Sequence, residues 1–82
     1  MHYVYIIQLN NKQLYTGRTD DLKRRFKEHD EGKVKATKYR RPLKLIFYEA
    51  LIKKSDAVRR ERYFKTSKGK STIKMMLRES MK

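Results

Sequence analysis

Apolar positions recur along this chain with two different periods. Residues 2–9, His-Tyr-Val-Tyr-Ile-Ile-Gln-Leu, are rich in β-branched and aromatic types and read as a strand. Both alternating sets carry apolar side chains: Val4 and Ile6 on one side, Tyr3, Tyr5, Ile7 and Leu9 on the other. A strand apolar on both faces is covered from both sides, so this one is predicted to be central in its sheet. Asn10-Asn11 marks a turn, and Gln13 to Gly17 returns as a second strand. A two-residue turn would leave Tyr5 and Tyr15 on opposite faces. A three-residue loop, at 9–11 or 10–12, shifts the register by one and puts both phenols on the same face. The turn contains no glycine, and the pattern alone leaves both registers open.

Past Thr19 the pattern turns helical. Thr19-Asp20-Asp21 supplies an N-cap and two acids for the positive end of a helix dipole. That helix is predicted to run to about Glu31 and to end at Gly32, a suitable residue for the left-handed position past a helix. Residues 33–42 hold five basic side chains, no acid and a closing proline, which makes them a loop. Leu43 to Ala50 reads as a third strand. Ser55 is the expected cap of a second helix through about Thr66, and residues 70–79 form a short third one. The order is ββαβαα: an α/β (α+β) sandwich around a three-stranded, mostly antiparallel sheet with flanking helices. Residues 1–82 are read as a single domain, its core at about 2–66 and a C-terminal helix at about 70–79.

Composition narrows the function. A chain of 82 residues buries only about 60% of its unfolded surface, so it has one modest core. It lacks cysteine, which excludes a disulfide framework and a thiolate metal site. No apolar run approaches the roughly 20 residues that cross a bilayer, and the start lacks the pattern of a secretory signal. A cytoplasmic protein without a membrane is expected. Lys and Arg number 23 against 9 Asp and Glu, a net charge of +14. Self-repulsion of that size opposes a compact fold, so a polyanionic partner is expected, with nucleic acid first. An anionic membrane surface ranks second, because no basic segment has a clean apolar face to insert.

Charges also stand where core residues belong. The inward stripe of the first helix is Leu22, Arg25, Phe26 and His29, with Arg and His in two of four apolar places. Both are expected at the margin of the buried face, one turn apart and pointing the same way. In the second helix Glu61 shares a face with Ala57, Val58 and Phe64. An acid facing inward among so many bases is either an ion-pair partner, with Arg25 as one choice, or a ligand for a hard cation. Two phenols, an Arg, a His and a Glu are the parts that phosphodiester hydrolysis needs. Cations screen the phosphoryl centre, a water loses a proton, and the leaving oxygen is stabilised. The planar fork of Arg suits phosphate, and a phenol serves as base where nearby cations favour its ionised form.

These residues resemble the GIY-YIG nuclease family. Tyr3-Val4-Tyr5 stands in the place of the first signature and Tyr15-Thr16-Gly17 in the place of the second. Arg25 follows Tyr15 by ten positions, His29 lies one turn later, and Glu61 stands within Asp-Ala-Val-Arg-Arg-Glu-Arg-Tyr-Phe-Lys. The resemblance covers residues 2 to about 66 and is nearest to the small single-domain bacterial members. It implies both tyrosines on one sheet face, and therefore the odd-length hairpin loop. It implies one divalent ion, Mg²⁺ or Mn²⁺, held by Glu61 with waters, and Arg25 on the scissile phosphate. Tyr5 is the first choice for general base, Tyr15 the alternative or an orienting donor, and His29 shares base or phosphate-contact duty. Gly17 allows close backbone approach at the strand end. Tyr3 replaces the glycine and Thr16 the isoleucine of the name-giving motifs.

The function expected is a metal-dependent DNA endonuclease, structure-directed and linked to DNA repair or recombination, with target choice supplied by the DNA structure or by a protein partner. The opposing readings are a non-catalytic nucleic-acid-binding module that keeps the fold and a basic adaptor for an acidic protein. Arg18 and the loop residues Lys33, Lys35, Lys38, Arg40 and Arg41 are the expected DNA contacts. Their mutual repulsion predicts a loop that stays mobile until phosphates arrive.

Overall fold

The computed structural model describes residues 1–82. Its elements are β1 (His2–Gln8), β2 (Leu14–Thr19), α1 (Leu22–Asp30), β3 (Lys44–Leu51), α2 (Lys54–Phe64) and α3 (Ser67–Met76), with one 3₁₀ turn at Lys38–Arg40. The order is ββαβαα, and the sheet runs β2-β1-β3 with both pairings antiparallel. The doubly apolar β1 is the central strand, as its pattern requires.

The hairpin settles the register. Tyr5 pairs with Gly17 and Ile7 with Tyr15, while the Leu9 N–H donates to the Gln13 carbonyl at 2.8 Å. Asn10 to Lys12 are therefore the loop, and Tyr5 and Tyr15 share a face. Lys12 occupies the left-handed position at φ 73°, which such loops need at their last residue and which usually goes to glycine. The Asn11 carboxamide oxygen accepts from the Gln13 N–H at 3.1 Å and steadies the turn.

Helix α1 begins where Asp21 accepts the Arg24 N–H at 3.1 Å. It ends with Gly32 at φ 78°. There the Gly32 N–H reaches the His29 carbonyl at 3.0 Å and the Lys33 N–H the Glu28 carbonyl at 2.9 Å, a left-handed stop that satisfies two orphan carbonyls.

Several boundaries differ from the sequence reading, and β2 runs on to Thr19, two residues past Gly17. Lys53 caps α2 without a side-chain hydrogen bond, so Ser55 lies inside the first turn and does not cap it. Thr66 does not extend α2: its hydroxyl accepts the Gly69 N–H at 3.0 Å and starts α3 at Ser67, three residues before the expected 70. Helix α3 then ends at Met76, and its Ile73, with Leu77 just beyond, is buried against the sheet. The core therefore extends past residue 66.

The sheet separates two cores. Val4 and Ile6 meet Ala57, Phe64, Ile73 and Leu77 beneath α2 and α3. Tyr5, Ile7 and Leu9 form the other cluster with the partly buried Leu22 and Phe26 of α1. The basic loop is strapped to the hairpin: the Asn10 N–H donates to the Arg40 carbonyl at 2.9 Å, and the Asn10 side chain donates to the Arg41 carbonyl at 3.0 Å. Val34 and Thr37 are buried beneath it, so repulsion among its cations does not leave its backbone untethered. No helix is long and apolar enough to cross a membrane.

Candidate active site

The register of β1 on β2 places Tyr5 directly opposite Gly17, and the Tyr5 ring lies across that residue. A Cβ at Gly17 would overlap the Tyr5 ring and its hydroxyl. Only glycine at this point of the edge strand leaves room for the phenol. Tyr5 is 1% exposed. Its hydroxyl lies 2.9 Å from His29 Nε2, and His29 Nδ1 lies 2.8 Å from the Thr37 hydroxyl. Both hydroxyls can donate or accept, so a neutral imidazole is satisfied in either tautomer. Tyr15 completes the cluster, its ring edge-on to His29 at 5.2 Å between centroids and 6.4 Å from Tyr5.

His29 is fully buried rather than marginal, because Thr37 supplies a partner inside the fold. Burial, aided by the nearby charge of Arg25, lowers its pKa to about 4, with Glu28 opposing. The ring is neutral at pH 7. Burial also raises the pKa of Tyr5; the Arg25 guanidinium nearby works against this, while Tyr15 and Glu61 add to the rise. The neighbouring Tyr5 phenol in turn holds Arg25 more firmly protonated.

Arg25 itself is partly exposed and pairs with Glu28 at 3.1 Å on its own helix. It is not the partner of Glu61. Pairing of Val4 with Arg18 turns Arg18 to the α2 side, where its Nε lies 3.4 Å from Glu61 Oε1. Lys65 Nζ lies 3.2 Å from Glu61 Oε2. The site thus straddles the β2 edge, with Tyr5, Tyr15, Arg25 and His29 on the α1 side and Glu61 on the other. The Glu61 charge is still felt at Tyr5. Arg18 Nε is buried and makes no aligned hydrogen bond, so its contact with Glu61 is purely one of charge. Arg18, expected on DNA, lies against this carboxylate and is partly exposed.

No three His, Cys, Asp or Glu side chains gather into a metal cage. A lone carboxylate fits a small hard cation that keeps most of its waters and takes further oxygens from a substrate phosphate. Glu61 is 19% exposed at its side chain, and a metal there has to share it with Arg18 and Lys65.

Of the loop residues, Lys33 pairs with Glu31 at 3.2 Å. Arg41 donates to the Lys38 and Asp30 carbonyls at 3.0 and 3.3 Å, which commits its guanidinium to the fold. Lys35, Lys38 and Arg40 are exposed, with Arg40 donating to the Gln13 side chain at 3.2 Å. Sequence reasoning missed Thr37. A small polar residue inside a basic run carries no signal of its own.

The family model described as the GIY-YIG catalytic domain matches residues 1–74. The chain is 42% identical over 76 residues to a UPF0213 protein of Staphylococcus haemolyticus, across 92% of this chain and 93% of that one. It is 43% identical over 70 residues to a UPF0213 protein of Streptococcus pyogenes, across 84% and 76% of the two chains. The solution NMR structure of the UPF0213 protein BH0048 from Bacillus halodurans is similar at a TM-score of 0.60 and 36% identity, covering 92% of this chain and 83% of that one.

Proposed function

This chain belongs to the GIY-YIG family, a family of nucleases, and from that premise we propose that it is a divalent-metal-dependent DNA endonuclease hydrolysing phosphodiester bonds. The observation that carries the reading is the convergence of Tyr5, Tyr15, His29 and Arg25 over a glycine that a side chain would close, with Glu61 at the same strand edge.

The roles follow from exposure. Arg25, partly exposed, can turn its fork from Glu28 to the scissile phosphate. Tyr5 is sealed in and committed to His29, which suits it to hold the imidazole and to fix the floor of the site. Tyr15 is partly exposed, so it is the phenol that an attacking water can reach. We therefore assign the general base to Tyr15 and a positioning role to Tyr5. His29, neutral and held by Thr37, fixes the Tyr5 hydroxyl and gives the Tyr15 ring an edge-on neighbour. Glu61 would hold Mg²⁺ or Mn²⁺, which supplies Lewis-acid stabilisation of the phosphoryl and leaving oxygens. The exposed Lys38 and Arg40 contact the DNA backbone.

The test is incubation with branched, nicked and single-stranded DNA in Mg²⁺ or Mn²⁺, beside an EDTA control and the Glu61→Gln variant. Cleavage is expected only for the wild type with metal, while Glu61→Gln keeps its fold and binds DNA. A Glu61→Gln protein that unfolds more easily yet still cuts makes the carboxylate an ion-pair partner and removes the metal assignment. Wild type that binds but cuts no form with either metal is a binding module.

A further inference from the structure

A groove of about 770 Å³ runs between β2 and α3, on the far side of the hairpin from α1. Lys12, Lys65, Lys70 and Lys74 line it, no acid does, and Phe64 and Ile73 form an apolar floor. Two of its lining residues belong to the candidate site: Tyr15, at the β2 edge that divides the groove from the α1 side, and Lys65, which pairs with Glu61. At the hairpin end, Gln13 lines the groove and also accepts from Arg40 of the basic loop. A band of positive charge therefore runs from that loop, over the hairpin, past the site and along α3.

Three placements in this band work against folding. Lys70 and Lys74 are four apart on one helix face and repel each other. Lys68 and Lys70 lie in the opening turns of α3, near the positive end of its dipole, where cations are unfavourable. Lys12 sits in a left-handed position that disfavours any side-chain-bearing residue. Cations kept unpaired at such positions match a polyanion that tracks the groove.

We propose that the β2–α3 groove carries the sugar–phosphate backbone of the nucleic-acid strand leading away from the site, with Lys12, Lys70 and Lys74 as its phosphate contacts. The inference rests on the nuclease reading only for what happens where the groove meets Tyr15 and Glu61; the track is tested by binding in EDTA, where no cleavage enters. Labelled duplex and the corresponding single strand are titrated at several salt concentrations. Replacing Lys12, Lys70 and Lys74 together by Gln is expected to flatten the slope of log affinity against log salt by roughly two to three units on duplex, and somewhat less on single strand. Replacing the exposed Lys44, Lys53 and Lys54 by Gln removes the same charge at β3 and the start of α2, and is expected to leave most of the slope intact. Equal losses from the two triples, or an unchanged slope with the groove triple, overturn the proposal. Lys12→Gly relieves the left-handed strain, so its thermal midpoint is expected to rise by a few degrees while the slope falls by about 0.9. A rise without that fall also counts against the track. In the wild-type protein, bound DNA is expected to shield Lys70 and Lys74 from acetylation and to leave Lys44 and Lys53 reactive; the reverse pattern refutes the assignment without any variant.

Discussion

Beneath α2 and α3, Val4 and Ile6 pack on Ala57, Phe64, Ile73 and Leu77, a cluster of six buried apolar residues. The next residues along the same strand point the other way, and Tyr5 and Ile7 meet an α1 that offers only partly buried Leu22 and Phe26. What completes that second face is the buried chain from Tyr5 through His29 to Thr37. One strand thus serves two environments, because its side chains alternate. The α2–α3 face supplies cohesion through apolar area. On the α1 face, polar groups stand where hydrocarbon would stabilise more, and each is tolerated because a partner satisfies it. Stability and chemistry are divided between the two sides of a single sheet.

The sharpest way to break this comparison is to hollow out each face in turn. Phe64 is 1% exposed, and Phe64→Ala is expected to cost about 3–5 kcal/mol. A domain of this length has only about 4–12 kcal/mol in total, so much of the protein should be unfolded in mild denaturant. Leu22 is only partly buried, and Leu22→Ala is expected to cost less than half as much. Equal losses in urea titrations would mean that the faces share the load, and the division fails.

Acid probes the polar face alone. The His29 pKa of about 4 in the folded protein lies below its ordinary value of 6.5, so between those values the unfolded chain binds more protons. The contribution is fully present above pH 6.5 and is lost as pH falls toward 4. The slope is at most about 1.4 kcal/mol per pH unit, and the loss totals roughly 3 kcal/mol. Stability measured by urea from pH 7 to 4.5 should fall accordingly, and the His29 imidazole resonances should show little protonation above pH 5. Flat stability through that window would mean that the ring is not desolvated.

How much of this was legible in the sequence differs between the faces in the same way. The central place of β1 and the apolar cluster follow from period-two and helical patterns, which report burial directly. The odd-length hairpin did not follow from pattern: Asn10-Asn11 marks the turn, but Lys12 takes a position that glycine or asparagine signals, so the loop length had no local mark. Arg25, His29 and Glu61 stood out as polar residues on inward stripes. Their partners did not. Glu61 finds Arg18 through strand register, and His29 finds Thr37 through the path of a loop; both are long-range facts that no periodicity encodes. Pattern alone puts Thr66 at the end of α2, because a hydroxyl between two helical stretches can end one or begin the next, and only its bond to Gly69 decides.

Three tyrosines give the finest comparison, since each loses a single oxygen on conversion to Phe. Tyr5 is buried and its hydroxyl faces His29 Nε2. Tyr5→Phe orphans that nitrogen, which should cost about 1–3 kcal/mol of stability as well as cleavage. Tyr15 lies at the mouth of the groove and is partly exposed. Tyr15→Phe should leave stability within about 0.5 kcal/mol and lower cleavage by ~10²-fold or more, the scale of a lost general base. Tyr3 is partly exposed and packs edge-on to Tyr48 at 6.4 Å, so Tyr3→Phe should change neither quantity much. Urea midpoints and single-turnover cleavage on one preparation of each variant separate the three. If Tyr5→Phe loses cleavage without losing stability while Tyr15→Phe keeps both, the base and positioning roles are exchanged. If all three retain cleavage, the phenols are packing residues, and the polar face needs another explanation.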